Sequence, residues 1–287
     1  MITFSRLTKN FGKTRVLDQL DLTIRPGDRI ALIGSNGAGK TTLIRCLLGE
    51  YVYEGEVLVN GRSPRAHRAD VLRHISFVPQ LPPPLKMPVG ILFDYAAKIC
   101  GANSTDMCAI GVRLGLELDE IDKRPFVKLS GGQKQKILIA IAMGRPARTI
   151  IMDEPTANLD PKARQILFDL MGERLDHTMI ISSHRLEEVA ALVNRVVELD
   201  RGKVVLDDRV EDVTDPTARL ACRLTIKRAD AAFAKTANEW GLAPDKGGCL
   251  WQGSIAGPDR LRFLGMLTRY AGLLCDIRLQ DKKEAAS

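Results

Sequence analysis

Arg29-Ile30-Ala31-Leu32-Ile33-Gly34-Ser35-Asn36-Gly37-Ala38-Gly39-Lys40-Thr41-Thr42 decides the fold. Its apolar opening has strand length and predicts a buried strand ending at Gly34. The glycines that follow permit a tight loop whose backbone N–H groups point inward at phosphate oxygens. Thr41–Leu48, stopped by Gly49, predicts a helix. The start of that helix adds the positive end of its dipole. Lys40 can then reach the β and γ phosphates of a nucleotide, and the Thr41 hydroxyl can ligate Mg²⁺. The plainer alternative is a glycine-rich turn that matches by accident; the strand–loop–helix context argues against it.

Working outward, Glu56–Val59 with Asn60-Gly61 reads as a strand and a turn. Thr149–Met152 and Thr178–Ile181 are short, near-continuous apolar runs, as strands covered on both faces of a parallel sheet should be. Between them, Pro161–Leu175 repeats apolar residues at helical spacing. Residues 1–205 therefore predict an α/β core with crossover helices. Val213-Thr214-Asp215-Pro216-Thr217-Ala218 marks a boundary. Beyond it, Cys222–Ile226, Asp230–Trp240, Leu250–Ile255, Pro258–Tyr270 and Leu274–Leu279 read as strand, helix, strand, helix and strand. Trp240, Trp251, Cys249 and Cys275 read as core residues of this small α+β unit, and Lys282–Ser287 as a frayed tail.

The chain has 287 residues, 45% apolar and 27% charged, which excludes a disordered chain and suits a large domain plus a small one. No uncharged run approaches the roughly 20 residues of a membrane span. Met1–Arg6 lacks the basic start and apolar stretch of a signal peptide. A cytoplasmic location is therefore expected, with any membrane contact made through a partner. The net charge is +7, and residues 215–287 carry 12 Lys/Arg against 8 Asp/Glu without a dense basic run. That describes a solvated surface, and no nucleic-acid partner is expected. Six cysteines without a Cys-x-x-Cys pair suggest reduced, structural thiols.

A second chemical element is Thr149-Ile150-Ile151-Met152-Asp153-Glu154, an apolar strand ending in two carboxylates. Asp153 would hold Mg²⁺, directly or through water. Glu154 would accept a proton from, or polarise, the water that attacks the γ-phosphate. Between the two elements lies Leu129-Ser130-Gly131-Gly132-Gln133, followed by a helical Lys134–Met143.

Together these motifs resemble the nucleotide-binding subunit of ATP-binding cassette (ABC) transporters, over residues 1 to about 210. The resemblance implies a P-loop ABC ATPase domain at 1–212, with a parallel sheet core, an antiparallel β subdomain and a helical subdomain. It leaves 213–287 as a small α+β domain for dimerisation or regulation. The resemblance also implies a role for each motif residue. Gly34, Ser35, Asn36, Gly37, Ala38, Gly39, Lys40, Thr41 and Thr42 cradle ATP. Phe11 stacks on adenine, with Val16 beside it. Gln80, in Phe77-Val78-Pro79-Gln80, contacts metal or water, so Thr41, Gln80 and Asp153 form the metal set. Ala157–Asp160 links two sites across a dimer. His184 senses the γ-phosphate, joining Glu154, Gln80 and Lys40 in catalysis. Plainer alternatives are a core aromatic for Phe11, a solvated loop residue for Gln80, a buried histidine for His184, and a helix cap for Ser130.

In that family the helix after Ser130 points its start at ATP bound by the other subunit. Ser130, Gly131, Gly132 and Gln133 would then serve a second chain, most simply in a homodimer closed by ATP. A separately encoded permease would dock near residues 80–110, where the proline-rich Leu81–Pro88 precedes a helical Val89–Cys100. The subunit would thus sit on the inner face of the cell membrane. The layout looks like ATPases of multidrug or polysaccharide exporters and of copper-enzyme maturation transporters. Lys134-Gln135-Lys136 departs from the arginines common in the family and puts a bidentate contact there in doubt. The alternative class is a soluble ABC ATPase that remodels a protein or nucleic acid. The interval from Lys40 to Asp153 is too short for the coiled coil of chromosome-type members, and translation-factor members usually carry two cassettes.

Overall fold

The apolar run Arg29–Ile33 (β3) lies inside a six-stranded sheet in the computed structural model. The structure describes residues 1–183, 186–190, 192–209, 219–245, 247–256, 259–268, 270 and 272–281. They fall into two units, Met1–His184 with Ala191–Asp208 and Arg185–Ala190 with Arg209–Ser287.

The first unit opens with β1 (Ile2–Phe11) and β2 (Thr14–Ile24), an antiparallel pair with Ile2 opposite Ile24 and register shifts from Leu7 onward. After β3 come α1 (Lys40–Leu47) and β4 (Glu54–Val59). β4 pairs antiparallel with the other edge of β1 and completes a three-stranded sheet. Then follow α2 (Arg68–Arg73) and β5 (Ile75–Val78). A helical stretch comes next: α3 (Val89–Cys100), α4 (Ser104–Arg113), α5 (Leu118–Ile121), a 3-10 turn over Phe126–Lys128, and α6 (Gly131–Met143). Finally β6 (Thr149–Asp153), α7 (Pro161–Gly172), β7 (Thr178–Ser182), β8 (Arg195–Asp200) and β9 (Lys203–Arg209) complete it.

The six-stranded order is β5-β6-β7-β3-β8-β9, and every pairing from β5 to β8 is parallel. Its strands read as apolar runs because both faces are covered. The core joins the sheets: Ile2, Phe4, Leu22 and Ile24 of the antiparallel sheet cluster with Leu43, Ile44 and Leu47 of α1 and with Ile30, Ile151 and Ile180. Local chemistry sets the helix starts. Asp160 accepts the Ala163 N–H and Pro161 takes the first position of α7. Asn103 accepts the Thr105 N–H ahead of α4, and Gly101, in the left-handed region, ends α3.

An ion network fastens β8. The Arg195 guanidinium forks onto Asp207 at 2.7 and 2.6 Å and donates to Asp28 at 2.7 Å and to the Thr23 carbonyl. No helix of the described residues is long and apolar enough to cross a membrane.

The second unit contains α8 (Leu186–Val189), β10 (Arg219–Ile226), α9 (Ala231–Glu239), β11 (Ala243–Pro244), β12 (Leu250–Ala256), α10 (Arg260–Thr268) and β13 (Leu274–Asp281). Its antiparallel sheet runs β11-β12-β10-β13, so from β10 to β13 the expected strand–helix–strand–helix–strand order is found with one two-residue strand added. Phe233 is buried edge-on to Trp251 at 5.7 Å and Tyr270 at 5.2 Å. Trp251 is core as expected, and Trp240 is half-buried against Phe263. Cys275 is a correction, because it is exposed. The β10–β13 register skips it between Thr225 opposite Asp276 and Ile226 opposite Leu274, which turns it out of the alternation. All six cysteines are free; burial pushes the Cys46 thiol up to about 11 and the Cys222 thiol to about 12, which keeps both neutral. The boundary expected at 213–218 and the tail at Lys282–Ser287 lie outside the described residues.

Candidate functional site

β3 ends at Ile33 and the chain turns through Gly34–Gly39 into α1. Gly39 caps that helix at φ 110°. A Cβ there would lie 2.8 Å from Leu17 Cδ2 and 3.1 Å from the Val16 carbonyl oxygen, so the loop can pass only as glycine. No side chain caps α1, which leaves its first N–H groups to an anion. Lys40, only 7% exposed, folds back along the loop and donates from Nζ to Gly34 O at 2.6 Å and Ser35 O at 3.3 Å. Burial holds its ammonium below the usual lysine range, with the Glu154 and Asp153 carboxylates opposing the shift. A cavity of about 190 Å³ is lined by Val16, the loop from Ser35 through Thr42, Gln80 and Glu154.

Parallel strands deliver the rest of the site to the same sheet edge. Gln80 follows β5, while Asp153 ends β6 and is 2% exposed. The Ser182 hydroxyl at the end of β7 donates to Asp153 Oδ1. Glu154 comes next, at φ 50°, and its N–H donates to Ser182 Oγ at 2.9 Å and Ser182 O at 3.3 Å. This is the carboxyl-end crevice where ligands bind in open α/β sheets. Thr41, Gln80 and Asp153 offer oxygen donors only, which suit a hard cation. Among the described residues no group of three His, Cys, Asp or Glu could hold a metal, so a cation here would share its shell with phosphate oxygens and water.

Several expected residues lie apart from that cavity. Phe11 is 43% exposed, with its ring edge-on to Tyr51 at 5.2 Å and Lys9 Nζ 4.5 Å from its centroid. Ser130 and Gln133 form a reciprocal capping box. The Ser130 hydroxyl oxygen accepts the Gln133 N–H at 3.2 Å, and Gln133 Oε1 accepts the Ser130 N–H at 3.1 Å. None of Ser130, Gly131, Gly132 and Gln133 lines the cavity. Gly131 and Gly132 instead face Asn158: a Cβ on Gly132 would lie 3.0 Å from its carbonyl oxygen. Lys136 Nζ reaches Asp160 Oδ2 at 2.8 Å, a single point contact where arginine would offer a fork. That contact, with the Ala163 N–H, holds the Asp160 carboxyl below its usual range. His184 lies outside the described residues. Reading the sequence missed Ser182, two residues before His184, as the partner of Asp153, and missed Gln135 and Arg195, whose partners are remote in sequence.

The family described as ABC transporter matches residues 17–157. The chain is 33% identical over 214 residues to the aliphatic sulfonates import ATP-binding protein SsuB 1 of Nocardia farcinica, covering 73% of this chain and 82% of that one. It is 32% identical over 209 residues to the tungstate uptake system ATP-binding protein TupC of Peptoclostridium acidaminophilum, covering 71% and 96%. Its fold matches a dimeric structure of the ATP-binding cassette MJ0796 in a post-hydrolysis state bound to ADP and Pi. That match has a TM-score of 0.64 and 21% identity, and covers 74% of this chain and 99% of the other.

Proposed function

The chain belongs to the ABC transporter family as an ATP-binding subunit with ATPase activity, and we propose that two copies of it close around two ATP molecules to drive a separately encoded permease. The observation that carries this reading is the content of the cavity. It gathers the phosphate loop, Gln80 and Glu154, but none of Ser130–Gln133 from the same chain. The N–H groups from Gly37 to Thr42 and the Lys40 ammonium hold the phosphates. Thr41, Gln80 and Asp153 hold Mg²⁺, which neutralises charge on the phosphate oxygens. Glu154 orients water and takes a proton from it as the water oxygen bonds to the γ-phosphorus and the bond to the ADP oxygen breaks. Phe11 stacks on the adenine, and the partner's copy of the capped α6 start completes the site. His184 answers the γ-phosphate. Residues 1–212 form the ATPase domain, apart from 185–190, which group with the second unit, and 213–287 form a dimerisation or regulatory domain.

An exposed apolar stripe supports the permease interface. Leu81 and, at helical spacing along α3, Ile91, Tyr95 and Ile99 face solvent. The surrounding segment is laced to the stretch ahead of Ser130: Val127 N–H donates to Leu85 O at 2.8 Å, Phe126 N–H to Met87 O at 2.9 Å, and Val89 N–H to Arg124 O at 3.1 Å. A partner seated on α3 therefore pulls on the start of α6. In this reading the subunit works at the cytoplasmic face of the membrane, held there by its permease.

The test is ATP turnover with Mg²⁺ by the purified chain. Lys40→Ala is expected to weaken ATP binding roughly 10-fold or more, the worth of a charge-assisted contact. Glu154→Gln is expected to bind ATP normally and to turn over at least 100-fold more slowly. Unchanged ATP affinity in the first variant, or unchanged turnover in the second, overturns the assignment.

A further inference from the structure

Gln135 belongs to α6, yet it is 1% exposed and works on a different element. Its Nε2 donates at 3.3 Å to the carbonyl oxygen of Pro155, the residue directly after Glu154. Its Oε1 is buried with no hydrogen-bond partner. A buried amide that satisfies only one end is costly, and a hydrophobe of similar length would avoid that cost.

The Glu154 backbone explains what the amide does there. Glu154 is a non-glycine residue at φ 50°, and it precedes a proline, whose ring steers the preceding residue toward extended backbone. Such a conformation persists only where neighbours over-determine it. Ser182 grips the turn on one side by accepting the Glu154 N–H with both its hydroxyl and its carbonyl oxygen. Gln135 grips the other side, one residue on. The same junction is reinforced by the ion pair of Lys136 with Asp160 and by the close approach of Gly132 to Asn158.

We propose that Gln135 is a positioning residue for Glu154: it clamps the Pro155 carbonyl and so ties the aim of that carboxylate to the seating of α6. The consequence is communication between sites. The start of α6 serves the nucleotide of the opposite subunit, whereas Glu154 serves the nucleotide of its own. A shift of α6 on meeting the partner's ATP is therefore transmitted through one amide to the base of the other site. This inference rests on the proposed role of Glu154.

The experiment is a double-mutant cycle read in single-turnover ATP hydrolysis, with ATP affinity measured alongside. Gln135→Met keeps length and burial but removes the donor. In the full-length chain it is expected to leave ATP affinity within twofold and to slow hydrolysis tenfold or more. In the Glu154→Gln background the same substitution is expected to slow hydrolysis no further, because residues acting as a unit are not additive. A structural role without positioning would lower turnover by the same factor in both backgrounds, and that result overturns the proposal. So does wild-type turnover in Gln135→Met. If Glu154→Gln alone turned over at the wild-type rate, the reading of Glu154 would fail first and take this inference with it.

Discussion

Arg195 and Glu198 sit on one strand and make opposite contributions to stability. The Arg195 guanidinium faces the Asp28 carboxylate, itself 2% exposed, and forks onto Asp207. Arg195→Ala removes one partner of a buried pair and is expected to cost about 3–5 kcal/mol in urea unfolding; a loss under about 1 kcal/mol contradicts this. Glu198 is buried, and burial first and Asp200 second raise its carboxyl above the ordinary 4.5. Below that pH both the folded and unfolded chains hold the proton, and the residue contributes nothing. As pH rises through 4.5 and then the raised folded value, the unfolded chain ionises first and stability falls; above that window the deficit is constant. Glu198→Gln is therefore expected to raise the melting temperature at pH 7 and leave it unchanged near pH 3. An equal shift at both pH values contradicts the titration argument. Glycine, lysine and acid spacing is contiguous, so Gly34–Thr42 and Asp153-Glu154 were legible in the chain. Ser182, Gln135 and Arg195 were not, because each acts on a residue that only the folded sheet brings near.

Elements differ in legibility for the same reason. β3, β6 and β7 are covered on both faces and so read as plain apolar runs. Strands with polar interruptions were harder. β1 mixes Ser5 and Arg6 into its apolar pattern, with register shifts near Leu7, and β8 is interrupted by Arg195 and Glu198. The α3 span Val89–Cys100 was read in full, because Pro88 opens it and Gly101 closes it. Its exposed stripe yields the prediction at this scale. Replacing Ile91, Tyr95 and Ile99 together with serine changes only side chains that are more than half exposed. The melting temperature and basal ATP turnover of the purified chain should stay near wild type, while co-purification of a membrane protein after detergent extraction is lost. Retained co-purification would show that the permease docks elsewhere.

At the scale of the whole molecule, one chain carries one phosphate loop, one Asp153-Glu154 pair and one Ser130–Gln133 segment, and the last does not reach the cavity of the other two. Under the proposed function a second chain supplies the missing half of the site, and the nucleotide supplies the binding energy that favours the closed pair over separate subunits. Sulfonates and tungstate are named for the importer relatives, and the exporter-like layout seen in the sequence concerns only the extra C-terminal domain. Dimerisation under ATP is the claim on which the rest depends. The most direct test is sedimentation velocity of the Glu154→Gln chain with Mg²⁺ and saturating ATP. A shift from monomer to dimer with ATP, and none with ADP, is the predicted result. A monomer at saturating ATP would contradict it.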